Sequence, residues 1–234
     1  MRSELYLRVR EKEGRLYTDD VVARLPFIHA DHPLADEWRA RAVSASRLTR
    51  YLSRQHKSLS ILDLGCGNGW LSNTLAKAGH RVVGMDQNTR ELEQAARVFS
   101  ATRGLLFLQA DIFSGAFPLE SFDAIILASV IQYFHDLPTL IVLLKSYLKP
   151  FGAIHIIDSP LYSPDQVADA VRRSGDYYAA LGIPEMAQHY FHHRITDLKS
   201  FSPVMFHAPS PLTLRLKRWL GWVDSPFPWI LIRK

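Results

Sequence analysis

Three glycines at alternate positions, Gly65, Gly67 and Gly69, lie in the stretch Ile61-Leu62-Asp63-Leu64-Gly65-Cys66-Gly67-Asn68-Gly69-Trp70. The apolar run from Leu59 to Leu64 reads as a strand buried on both faces, and a helical pattern follows the glycines. A strand, a tight turn and a helix N-terminus in that order let main-chain amides approach a ligand where no Cβ intervenes. Asp63, just before the turn, can accept a hydrogen bond from an ammonium group or brace the loop amides. A dinucleotide site would want a third glycine where this chain has the indole of Trp70.

Two more carboxylates close apolar runs. Val82-Val83-Gly84-Met85 ends in Asp86, about twenty residues downstream, where a carboxylate can grip the two hydroxyls of a ribose. Leu105-Leu106-Phe107-Leu108-Gln109-Ala110 ends in Asp111-Ile112. Together with the Asp-x-Gly-x-Gly-x-Gly turn and further strands at Phe122 to Leu127 and Gly152 to Ile157, this series resembles the class I S-adenosylmethionine-dependent methyltransferases over roughly residues 36 to 160. The resemblance implies S-adenosylmethionine as cofactor and S-adenosylhomocysteine as product. It places Asp63, Gly65, Cys66, Gly67, Asn68 and Gly69 around the methionine part, Asp86 and Gln87 at the ribose, and Asp111 with Ile112 at the adenine. Ser129, after the fourth strand, faces the same pocket by analogy.

Methyl transfer from a sulfonium is an in-line displacement, so holding donor and acceptor in line supplies roughly 7 to 11 kcal/mol and a strong base is optional. Where the acceptor is a hydroxyl, a group poised near neutral pH helps. Tyr133 and His135 follow the fourth strand and are the candidate catalytic residues; Gln132, Asp158 and Tyr162 lie near other strand ends. The plain alternative for such aromatics is packing. Arg39 or Arg41, on the helix before the first strand, is expected to meet the cofactor carboxylate. The pair His29 and His32 and the group His189, His192 and His193 have metal-like spacing, but no partner set completes a site, and no metal is expected.

Positioning these residues requires alternating strands and helices. Trp38, Ala42, Ala45, Leu48 and Leu52 mark one face of a helix from about Ala35 to Arg54, with capping chemistry expected from Asp31-His32-Pro33-Leu34. Another helix opens at Asp136 and Pro138 and runs to about Lys149; a later one opens at Ser163-Pro164 and ends at Gly182. The expected fold is α/β: a doubly wound, seven-stranded, mostly parallel, Rossmann-like sheet with helices on both faces and its last strand antiparallel. Val204 to His207 and Pro228 to Ile232 would be the final strands. Residues 1–34 read as an N-terminal arm or lid, and 35–234 as the methyltransferase domain. Within it, about 163–225 holds a substrate-side helix and an insertion without an even helical stripe.

The chain has 234 residues, 47% of them hydrophobic, which suits one domain with a sizeable core. No apolar run approaches the roughly 18 residues of a membrane span, and the N-terminus lacks an apolar signal region, so a cytoplasmic location is expected. Cys66 has no partner for a disulfide. The net charge of +5 would suit nucleic acid, but the basic residues are scattered. Base methyltransferases commonly carry a proline pair after the fourth strand, where this chain reads Leu127-Ala128-Ser129-Val130. A small-molecule acceptor is therefore expected, with an RNA or other macromolecule methyltransferase and a non-catalytic S-adenosylmethionine-binding subunit as the alternatives.

Overall fold

The apolar runs form β1 (Ser60–Leu64), β2 (Arg81–Asp86), β3 (Leu105–Gln109), β4 (Phe122–Ala128) and β5 (Leu148–Ile157). In this computed structural model, which describes residues 2–55 and 57–234, they are joined by β6 (Val204–His207) and β7 (Trp229–Arg233). Met1 and His56 lie outside the described residues. The sheet order is β3-β2-β1-β4-β5-β7-β6. β1 to β5 run parallel, and β7 pairs antiparallel with both β5 and β6. Strand order reverses between β1 and β4, and in open α/β sheets such a reversal opens a crevice beyond the strand C-termini.

Alternating side chains of the parallel strands build two cores. Leu62, Leu64, Ile125, Leu127, Ile154 and Ile156 face α6 (Leu137–Tyr147), which contributes Leu140, Ile141 and Leu144. Ile61, Ala124 and Ile126 face the other way, against α3 (Ala35–Ser53) and α4 (Trp70–Lys77). Trp38 of α3 meets Trp70 of α4 edge to face at 5.4 Å, so the indole of Trp70 serves packing between helices. α5 (Thr89–Val98) is capped by Asn88 and packs on β3 and on α2 (Asp19–Arg24).

Several boundaries differ from expectation. Within residues 2–34, read from the sequence as an arm or lid, lie two helices, α1 (Arg2–Lys12) and α2. α3 begins after Leu34 without a side-chain cap; His32 Nδ1 instead accepts from the Leu34 amide at 3.1 Å. α6 stops at Tyr147 and β5 starts at once, because Pro150 drives the residue before it out of the helical region. A capping box on Ser163 and Gln166 opens a 3-10 turn that leads into α7 (Val167–Ala180). The late insertion contains a further helix, α8 (Pro211–Trp219). No helix among the described residues is long and apolar enough to cross a membrane.

Candidate functional site

The loop between β1 and α4 turns back on β2: the amides of Gly65 and Cys66 both donate to the Met85 carbonyl, at 2.7 and 3.1 Å. Neighbouring side chains dictate two of the glycines. At Gly65 a Cβ would stand 2.1 Å from Val130 Cγ2, and at Gly69 it would stand 2.6 Å from the Phe107 ring. Gly67 differs, since a Cβ there meets only ordinary contacts, the nearest being Glu91 Oε2 at 3.5 Å. Its amide donates to Asp86 Oδ2 at 2.9 Å, while Asp86 Oδ1 accepts from the Asn88 amide at 2.9 Å. The second-strand carboxylate thus braces the glycine loop.

Asp63 is buried and accepts a 2.6 Å hydrogen bond from Ser72 Oγ of α4. Burial pushes its carboxyl up to about 6 against the opposing Ser72 bond, with the negative charge of Asp86 adding to the rise. Cys66 is buried in the loop, and burial with the surrounding carboxylates pushes its thiol up, which keeps it unreactive.

Two adjoining cavities lie over this loop. One, of about 140 Å³, is lined by Asp86, Gln87, Asn88, Ala110 and Ile112. The other, of about 500 Å³, is lined by Asp63, Cys66, Gly67, Asn68 and Glu91 on one side and by Tyr133, Tyr162, Tyr177, Tyr178 and Tyr190 on the other. Tyr6, Gly65, Ser129 and Tyr133 belong to both. Residues lining these spaces carry buried polar atoms without hydrogen-bond partners: Asn88 Nδ2 beside the smaller, Glu91 Oε2 and Gln132 Oε1 beside the larger. Such atoms are costly unless a ligand satisfies them, so the residues present fit a polar nucleoside carrying an amino acid.

α1 supplies a wall that the sequence reading did not resolve into residues. Tyr6, Val9 and Arg10 line the larger cavity, and Tyr6 meets Tyr133 edge to face at 5.6 Å. The chain just after α1 is clamped to α3 by Arg15, whose Nη1 and Nη2 donate to Glu37 Oε1 and Oε2 at 2.7 and 2.6 Å. Arg41 adds a bond to Glu37 Oε1 at 3.0 Å, and Tyr177 of α7 donates to Glu13. Burial raises the Glu37 carboxyl, but the Arg15 and Arg41 contacts outweigh it and hold it at about 2. Glu91 is the other residue missed, a buried acid whose pKa burial raises, Arg10 lowers and Asp86 raises.

The remaining expected residues separate. Tyr133 stands on the boundary of the two cavities, and burial pushes its hydroxyl pKa up. His135 is exposed, meets Phe191 edge to face at 5.0 Å and lines neither cavity. Asp111 is exposed at the end of β3 with Oδ1 accepting from the Phe113 amide at 2.9 Å, while Ile112 lines the smaller cavity. Ser129 has left-handed backbone (φ 54°), and its Oγ donates to the carbonyl of Asp158, also left-handed (φ 50°), at 2.7 Å. Of the two arginines, Arg41 lines the larger cavity, whereas Arg39 is exposed and paired with Asp36. The histidines have separate partners: His193 Nε2 donates to the Ile131 carbonyl at 2.9 Å, and His192 is bonded to Ser174 Oγ at 2.8 Å. Among the described residues no group of three His, Cys, Asp or Glu could hold a metal ion.

A doubly wound sheet with a glycine loop at its switch point, braced by a carboxylate from the next strand, defines the class I S-adenosylmethionine-dependent methyltransferase fold. Residues 55–212 match the family model described as methyltransferase domain, and the chain belongs to that family. Among curated relatives, the chain is 32% identical over 119 residues to ubiquinone biosynthesis O-methyltransferase of Pasteurella multocida, covering 44% of this chain and 49% of that protein. It is 30% identical over 102 residues to malonyl-[acyl-carrier protein] O-methyltransferase of Erwinia pyrifoliae, covering 44% and 38%. The chain thus spans about half, or less, of the length of these curated relatives. The fold is similar to an S-adenosylmethionine-dependent methyltransferase from Mesorhizobium loti (TM-score 0.56, 19% identity, 85% of this chain and 98% of that one). It is equally similar to one from Archaeoglobus fulgidus (TM-score 0.56, 17% identity, 87% and 100%).

Proposed function

We propose that this chain transfers the methyl group of S-adenosylmethionine to an oxygen of a small-molecule acceptor. The observation that carries the reading is the meeting of the two cavities at Tyr6, Gly65, Ser129 and Tyr133, with nucleoside-type residues on one side and five tyrosines on the other. Both curated relatives described above are named O-methyltransferases, which supports oxygen as the acceptor atom.

When bound, the donor supplies an electrophilic methyl carbon on a sulfonium. Asp86 and Gln87 would meet the ribose, and Ile112 and Ala110 would flank the adenine with Asp111 at the rim. The loop from Gly65 to Gly69 would run along the amino acid. Asp63 and Glu91 supply carboxylates for its ammonium, and Arg41, stacked on Trp38 at 5.4 Å, supplies a guanidinium for its carboxylate. The tyrosines, kept neutral by burial, hold the acceptor and exclude water, so the gain comes mainly from alignment.

Calorimetry with S-adenosylhomocysteine, followed by radiolabelled S-adenosylmethionine with a metabolite extract or with RNA, tests this reading. Label in small molecules supports it, and label in RNA replaces it with a macromolecular acceptor. Binding without any transfer favours a non-catalytic subunit, and failure to bind S-adenosylhomocysteine overturns the assignment.

A further inference from the structure

α8 lies on the body with its apolar residues turned outward. Its start is capped by Ser210, whose Oγ accepts from the Thr213 amide at 3.2 Å. Lys217 pairs with Asp224, whose side chain is buried and also bound by Arg47 of α3 at 2.6 Å. Leu214, half-buried, lines a third cavity, so Leu214 and Lys217 mark the face held against the body. On the opposite side Leu212, Leu216 and Trp219 follow one another at the spacing of a single helical face, and Leu220 comes just past the helix end. They are strongly exposed, Leu212 at 77% and Trp219 at 82%. Ordinary globular surfaces scatter such residues singly; here three share one stripe, flanked by the exposed Arg215.

On the body side of α8 lies the third cavity, of about 770 Å³. Trp222, 65% exposed, lines that cavity together with Leu214, Val223 and Phe227. Its inner end shares Glu37, Arg41, Ser129, Gln132 and Tyr190 with the larger cavity of the candidate site.

We propose that α8 docks this protein on an anionic lipid surface, its leucines and Trp219 entering the headgroup boundary and Arg215 meeting lipid phosphates. Leucine and tryptophan on one face with a cation at the margin suit that boundary, and the chain's net charge of +5 complements it. A single convex helix is a poor seat for a globular partner but suits a plane. The Lys217–Asp224–Arg47 tether prevents the stripe from rolling inward. If the methyl-transfer reading holds, the adjoining cavity gives an apolar acceptor dissolved in the lipid a dry route to the site; docking itself does not depend on that reading.

Sedimentation with phosphatidylcholine vesicles, with and without phosphatidylglycerol, tests the proposal. The protein is expected to pellet with the anionic vesicles, less so with the neutral ones, and less as salt is raised. The exposed double variant Leu216→Ser with Trp219→Ser is expected to lower partitioning by about tenfold or more. Arg215→Glu weakens the anionic preference alone. Unchanged S-adenosylhomocysteine affinity and circular dichroism in each variant show that fold and site are intact. The proposal is overturned if the unaltered protein stays in the supernatant, or if the double variant pellets equally well. It is also overturned if ultracentrifugation shows a dimer that the double variant abolishes, which would make a second copy the occupant.

Discussion

Replacing Glu91 with glutamine removes one charge from the candidate site while keeping its shape. The residue is 5% exposed, its Oε2 has no hydrogen-bond partner, and that oxygen lies 3.5 Å from where a Cβ on Gly67 would stand. If it receives the ammonium of the donor, the lost charge-assisted bond is worth about 1.5–3 kcal/mol. Arg10 already offsets part of the carboxylate's charge, so the lower end applies. At 1.4 kcal/mol per decade that is roughly a tenfold loss of affinity. The assay is titration calorimetry with two ligands: S-adenosylhomocysteine, and 5′-methylthioadenosine, which keeps the nucleoside and lacks the amino acid. The first is expected to weaken roughly tenfold and the second to change less than about twofold. Equal losses for both ligands, or no loss for either, would refute the reasoning. Arg10→Met gives a control: if Glu91 serves only to hold α1, this variant reproduces the same pattern.

Three further outcomes are expected. Asp63, raised to about 6, is neutral below that pH and offers an ammonium nothing, so affinity for S-adenosylhomocysteine should rise as pH increases through about 6. Asp63→Asn should flatten that profile, leaving only the contribution of Asp86 and Glu91; calorimetry from pH 5 to 8 checks it. Glu37, held at about 2 against an ordinary 4.5, stabilises the fold fully above about 4.5 and loses that contribution as pH falls toward 2. Arg15→Met should therefore lower Tm at pH 7, and the gap to the unaltered protein should narrow on acidification; a gap constant with pH would argue against the clamp. Gly65→Ala and Gly67→Ala share the cost of a positive φ, about 1 kcal/mol, but only the first drives a Cβ into Val130. Urea unfolding should show the first variant clearly less stable than the second, and equal stabilities would mean that Val130 gives way.

The sheet was legible because its parallel strands are apolar runs, and β1, β2 and β5 end at a glycine or an acid, a pattern that local sequence carries by itself. Gly65 and Asp86 were legible for the same reason. Glu91 was not, since between Arg90 and Glu93 it looks like part of a solvated helix face, and only the approach of α1 buries it. α1 itself mixes Leu5, Tyr6 and Val9 with charges, and its stabilising contacts come from elements far along the chain, such as Tyr133 and Tyr177. His135 shows the opposite error. It sits close in sequence to a strand end, but the 3-10 turn at Ile131–Tyr133 leads the chain away from the crevice before His135 is reached. The late helix was hidden because Leu212, Leu216 and Trp219 face outward, so the stripe carries no partner in the core.

Ser129 is the one described residue that lines all three cavities around the crevice. Its twisted backbone is tied to the end of β5 twice, by its hydroxyl on the Asp158 carbonyl and by its amide on the Ile157 carbonyl at 3.1 Å, so one anchored residue walls nucleoside, acceptor and side chamber together. Any side chain larger than serine at this position would intrude on three rooms at once.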